Sequence, residues 1–90
     1  MDALRCYEFN DLDGDVFYIA AVDEAAACFY AVTEAGEVLS RFTVRLLSDG
    51  ALAETVVMDE DWGEITLMES LRRHNDEWPG EVALLGYSDP

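Results

Sequence analysis

The only imidazole in the chain is His74, so any proton-transfer or acyl-transfer chemistry would have to be assembled around it. A hydrolase or transferase needs a nucleophile, a base and an orienting group within reach of one another. The stretch Arg72-Arg73-His74-Asn75 contains no nucleophile motif and reads as exposed, which makes His74 a structural or solvent-facing residue. Paired carboxylates are no better a signal, because twenty Asp and Glu among ninety residues put some pair at almost any spacing by chance. Glycosidase-type work would also need a cleft that so short a chain can hardly form. The chain is therefore expected not to be an enzyme.

Asp11, Asp13 and Asp15 have the alternate spacing of a calcium loop. A calcium loop of the EF-hand type, however, needs Gly at its sixth position and a bidentate Glu at its twelfth. Counting from Asp11, Gly14 arrives too early and the twelfth position is Val22, so a solvated acidic turn is the better reading. Cys6 and Cys28 are the only cysteines and have no metal-ligand spacing. They read as two reduced, buried thiols. Neither GxxxxGK[ST] nor GxGxxG occurs, so nucleotide binding has no support, and no cofactor or metal is expected.

What the residue types do favour is electrostatic recognition. Twenty acids stand against five arginines and no lysine, a formal net charge of −15. Solubility alone needs a magnitude of only about 2–8 for a small domain. The same field disfavours direct binding to DNA, RNA or an anionic membrane and favours a basic partner. The acids gather in two places: Asp11, Asp13 and Asp15, and then Asp59, Glu60, Asp61 and Glu64 around Trp62. In an extended segment alternate residues are about 6.6 Å apart, and a DNA strand advances about 3.4 Å per phosphate. Rows of carboxylates on a rigid sheet can approximate a row of phosphates, and these seven residues are the candidate partner-binding site. The five arginines are dispersed, and Arg41 and Arg45 are expected to pair with neighbouring acids on one strand face.

The elements that must position these clusters follow from pattern. Ninety residues allow one domain spanning residues 1–90 with one modest core, and 51% hydrophobic residues with 11% aromatics supply it. Leu4 to Phe9 and Val16 to Val22 read as two strands joined by the acidic turn. Asp23 and Gly36 bracket a helix over Glu24 to Ala35, whose Ala25, Cys28, Phe29 and Val32 form a stripe expected to pack on the sheet. Glu37 to Leu47 reads as a strand, Ala51 to Glu54 as a helical turn and Thr55 to Met58 as a further short strand. Thr66 and Glu69 have capping-box spacing for a helix through about Asn75. Glu81 to Tyr87 reads as the last strand. The fold class is thus α+β, a mainly antiparallel sheet with one helix packed on it and a second short helix. No apolar run approaches the roughly 20 residues that span a bilayer, and no signal-peptide pattern precedes the first strand, so a cytoplasmic protein is expected.

The stretch Tyr7 to Tyr30, with an aromatic-rich strand ending in Ala20-Ala21 before an Ala-rich helix, resembles small phage and mobile-element proteins, as do Leu46-Leu47-Ser48-Asp49 and Val57 to Leu71. Together with size and acidity this resembles the anti-CRISPR proteins, several of which imitate DNA. The resemblance implies an inhibitor that occupies the nucleic-acid-binding surface of a basic partner, a CRISPR effector subunit. It transfers no motif residue. The other reading is a non-mimicking interaction module, an antitoxin, immunity protein or other inhibitor, that binds through aromatic side chains with acids only at the rim. Mimicry requires both acidic clusters on one continuous face; the alternative requires an exposed aromatic at the centre.

Overall fold

A computed structural model of the chain describes residues 2–59 and 61–88, the side chain of Ser88 excepted. It is α+β. Strands β1 (Arg5–Asp11), β2 (Val16–Ala21), β3 (Phe42–Leu46) and β6 (Ala83–Ser88) form an antiparallel sheet in the order β3-β1-β2-β6. Strands β4 (Val56–Asp59) and β5 (Gly63–Thr66) form a separate antiparallel hairpin. The helices are α1 (Glu24–Thr33), α2 (Asp49–Glu54) and α3 (Leu67–Glu77), with a 3-10 turn at Leu39–Arg41 before β3.

The central strands do not alternate apolar with polar because both faces of the sheet are covered. On one face Cys6, Tyr18, Ala20 and Leu85 pack under α2, the β4–β5 hairpin and α3, through Leu52, Val57, Ile65 and Leu67. On the other, Tyr7, Phe9, Phe17, Ile19 and Ala21 pack under Ala27 and Ala31 of α1. Phe9 and Phe17 stack at 4.9 Å and Phe42 meets Phe17 edge-on at 5.2 Å, joining three strands on that face. The N-terminal approach to β1 is tied to α3 by a two-way amide bridge. Leu4 N donates to Asn75 Oδ1 at 2.7 Å, and Asn75 Nδ2 donates to Leu4 O at 3.2 Å.

The helix signals act as their residue types dictate. The side chains of Asp23, Ser48 and Thr66 each accept from a backbone N–H in the first turn of α1, α2 and α3. Three expectations are corrected. The stripe Ala25, Cys28, Phe29 and Val32 does not face the sheet as a whole: the aromatic-filled sheet face takes the small side chains Ala27 and Ala31 at its centre, and of the stripe only half-buried Cys28 packs at the margin of that cluster. Phe29 is left 71% exposed and Val32 44%. The third strand of the sheet starts at Phe42 and not at Glu37, since the 3-10 turn intervenes. Lastly, α3 runs on to Glu77, two residues past Asn75, and ends at Trp78, whose N–H bonds to His74 O.

A β-bulge marks the edge strand β6. Tyr18 pairs with Gly86 and Ile19 with Leu84, leaving Leu85 as the extra residue. The bulge buries Leu85 and brings Gly86 against Val57 of β4 at φ +152°.

Candidate functional site

The first acidic cluster is a folded turn with a cation built into it. Asp11 Oδ1 accepts the N–H of Asp13 at 2.9 Å, the Asp11 N–H bonds to Asp15 O at 2.8 Å, and Gly14 N bonds to Asp11 O at 2.9 Å. Arg41, at the end of the 3-10 turn, pairs with Asp13 and lies 3.6 Å from Asp11. Its carbonyl also accepts from Leu12 N at 3.0 Å. Three carboxylates and one guanidinium leave a local charge of −2, and among the described residues only Asp15 of the three lacks an ion-pair partner. Nearby, Arg45 pairs with Glu8 at 3.0 Å, and Asn10 Nδ2 donates to Glu8 at 2.7 Å.

The second cluster belongs to a hairpin that sequence reasoning took for a loop. Asp59 ends β4 and Glu64 lies on β5; Glu60 lies outside the described residues. Asp59 Oδ1 accepts from the N–H groups of Asp61 at 2.8 Å and Trp62 at 3.0 Å, so its carboxylate shapes the turn. Gly63, at φ +72°, supplies the left-handed residue this turn needs. The missed strand Gly63-Glu64-Ile65-Thr66 carries one apolar residue, too little for period-2 patterning to register.

The two clusters sit on two different turns. The first closes the β1–β2 turn and is clamped by Arg41 just before β3, one edge of the sheet. Asp59 and Asp61 flank β6, the other edge, beside Leu84, Leu85, Gly86 and Tyr87. The β1–β2 turn itself adjoins β6, since Val16, next to Asp15, pairs with Ser88 of that strand. Among the described residues no hydrogen bond or ion pair joins the two clusters.

What the second cluster does adjoin is an aromatic group. His74 lies in the last turn of α3 and Trp78 caps the C-terminus of that helix. The His74 ring lies 5.7 Å from Trp62 and 5.1 Å from Trp78, and the two indoles lie 6.3 Å apart. The reading of this stretch as exposed is thereby corrected at His74, which takes the structural role of the two expected: the ring is half-buried against both tryptophans, and among the described residues its buried Nδ1 has no hydrogen-bond partner. Burial lowers its pKa below the ordinary value, against an opposing pull from Asp59, Glu77 and Glu81. The guanidinium of Arg73 sits 4.9 Å over the Trp62 ring, and Glu69 holds Arg73 from its other side at 3.2 Å. Arg72 and Arg73 together hold the Glu69 carboxyl down at about 2. Beside this group a recess of about 190 Å³ is lined by His74, Trp78, Glu81 and Ala83, and Trp78 at its rim is 42% exposed.

Trp78 and Glu81 were not among the expected site residues. The signal for them was present in the i, i+4 pair His74 and Trp78 with Asp76, Glu77 and Glu81 around it, but charge density alone pointed elsewhere. Among the described residues no three His, Cys, Asp or Glu side chains gather to hold a metal, and no helix is long and apolar enough to cross a membrane. No family model, curated protein or solved structure matches the chain.

Proposed function

We propose that this chain is a non-catalytic binding protein whose partner presents a basic surface, and that the contact centres on Trp78 with Asp59, Glu77 and Glu81 around it. The observation that carries this reading is the pairing of an open indole with an acidic rim beside a second indole already covered by Arg73. Ring faces in a field of carboxylates attract guanidinium and ammonium groups. A buried aromatic anchor with charged groups at its edge is the usual energetic centre of a protein interface. The net charge of −15 adds long-range steering toward a basic partner.

Nucleic-acid mimicry of the anti-CRISPR kind is the second reading, favoured by that charge and by the exposed carboxylates of Asp15, Asp61 and Glu64. Arg41 weighs against it, since it neutralises part of the first cluster. One experiment separates the two. Partners captured on the immobilised native protein are titrated calorimetrically at low and high salt, with and without bound DNA or RNA. An aromatic-centred interface loses about thirtyfold in affinity on Trp78→Ala and little when Asp11, Asp13 and Asp15 become Asn. Mimicry gives the reverse, with steep salt dependence and displacement of nucleic acid. Affinity indifferent to salt and to both sets of substitutions rejects both readings.

A further inference from the structure

Helix α1 has the composition of a buried helix and the burial of a surface one. Its sequence Glu-Ala-Ala-Ala-Cys-Phe-Tyr-Ala-Val-Thr contains a single charged residue, Glu24. A helix apolar on all sides is normally covered on all sides. Here Ala27 and Ala31 are buried against the sheet, while Phe29 points directly away at 71% exposed, with Ala25 and exposed Val32 beside it. Positions 25, 29 and 32 stand at i, i+4 and i+7, so they form one continuous ridge. Carboxylates close both ends of that ridge, Asp23 and Glu24 before it and Glu34 and Glu37 after it, and no basic residue lies between Glu8 and Arg41.

The geometry points to α1 as a second docking surface, one that receives an amphipathic helix of a partner protein with an apolar stripe and Lys or Arg at both ends. Charge decides the occupant. A second copy of this chain laid antiparallel would set Asp23 and Glu24 of one protomer against Glu34 and Glu37 of the other, which like-charge repulsion opposes. An anionic membrane is repelled by the same residues. A basic helix meets both ends favourably and covers Phe29 in the middle. Because α1 and the Trp78 surface cover opposite faces of the sheet, both can be occupied at once.

The test uses the intact protein and a synthetic peptide of about 18 residues, roughly five helical turns, with Leu at i, i+3, i+4 and i+7 and Lys elsewhere. A scrambled peptide of identical composition is the control. Backbone amide shifts are followed by NMR during titration of native protein and of Phe29→Ser, whose substituted side chain makes no core contact. The expected result is saturable binding of the amphipathic peptide, with shifts centred on Ala25, Phe29 and Val32. The scrambled peptide binds at least about tenfold more weakly, and Phe29→Ser loses about tenfold or more. Equal binding of the two peptides, shifts centred on Trp62 and Trp78, or no effect of Phe29→Ser overturns the proposal. So does sedimentation of the native protein as a dimer that Phe29→Ser dissociates, which would make a second copy the occupant.

Discussion

Gly86→Ala should be among the most destabilising one-carbon changes available to this chain. A Cβ at residue 86 would stand 3.0 Å from Val57 Cβ and 3.4 Å from each Val57 methyl, and the backbone there has φ +152°. Holding a non-glycine residue in so sparsely populated a region costs about 1–3 kcal/mol, and forcing an extra methyl into packed surroundings about 1–3 kcal/mol more. A loss of roughly 2–6 kcal/mol is a large part of the roughly 5–13 kcal/mol expected for a ninety-residue domain. Urea unfolding followed by the fluorescence of Trp62 and Trp78 reads it directly. Combining the change with Val57→Ala divides the causes. The shortened side chain removes the two methyl contacts but keeps the Cβ at 3.0 Å, so the double variant should recover only part of the loss, as a coupling of about 0.5–1 kcal/mol between residues in contact. A Gly86→Ala loss below about 1 kcal/mol would refute the account of the bulge. Full rescue by Val57→Ala would show that crowding alone, and not backbone conformation, holds glycine there.

Three further outcomes follow from the same residues. Burial depresses the His74 pKa, so the unfolded chain binds more protons just below the ordinary value of 6.5. Stability is then complete above that pH and falls as pH drops through the folded value. His74→Phe should flatten this part of a urea-midpoint profile from about pH 5 to 8, and an NMR titration placing His74 at or above its ordinary pKa would contradict it. Native-state thiol titration should reach half-buried Cys28 first and Cys6, pushed up to about 12 by burial, only on unfolding; equal rates would refute the burial order. Arg41→Met should change stability by no more than about 1 kcal/mol, because the pairs it breaks are partly exposed. It should also raise the salt dependence of any partner contact made by Asp11 and Asp13, whereas an unchanged salt slope would remove that turn from the interface.

Much of the fold was legible because its local signals agree with one another. Asp23, Ser48 and Thr66 start helices, and the turn-rich segment Asn10 to Asp15 closes a hairpin. The face of α1 was misread because its sequence is apolar all round, and periodicity cannot orient a helix that lacks a polar side; the size of the facing aromatics decides instead. The hairpin at Asp59 was hidden because turn-forming acids and a strand of low hydrophobicity look like a charged loop. The candidate site was only partly legible for a related reason. Charge counts rank Asp11, Asp13 and Asp15 highly, yet a carboxylate that caps a turn or faces Arg41 is spent locally, and only coordinates tell it from a free one.

That distinction bears on how an acidic surface of this kind can act. Among the described residues both faces of the sheet carry a hydrophobic core, under α1 on one side and under the hairpin with α2 and α3 on the other, which leaves little of either face for the roughly 6.6 Å rows of carboxylates expected of a phosphate mimic. Along β1 the acids are Glu8 and Asp11, each paired with an arginine, and the exposed positions of edge strand β3 include Thr43 and Arg45. Charge is therefore displaced to turns and helix ends, where it surrounds apolar side chains: Trp78 between Glu77 and Glu81, and Phe29 between Glu24 and Glu34. Carboxylates at such positions contribute mainly to encounter and partner choice, while the apolar centre holds the complex. Raising ionic strength should then slow association far more than it speeds dissociation, a separation that stopped-flow mixing and dilution of a captured complex resolve. Equal changes in both rates would move the charges from the rim into the energetic centre and make nucleic-acid mimicry the better account.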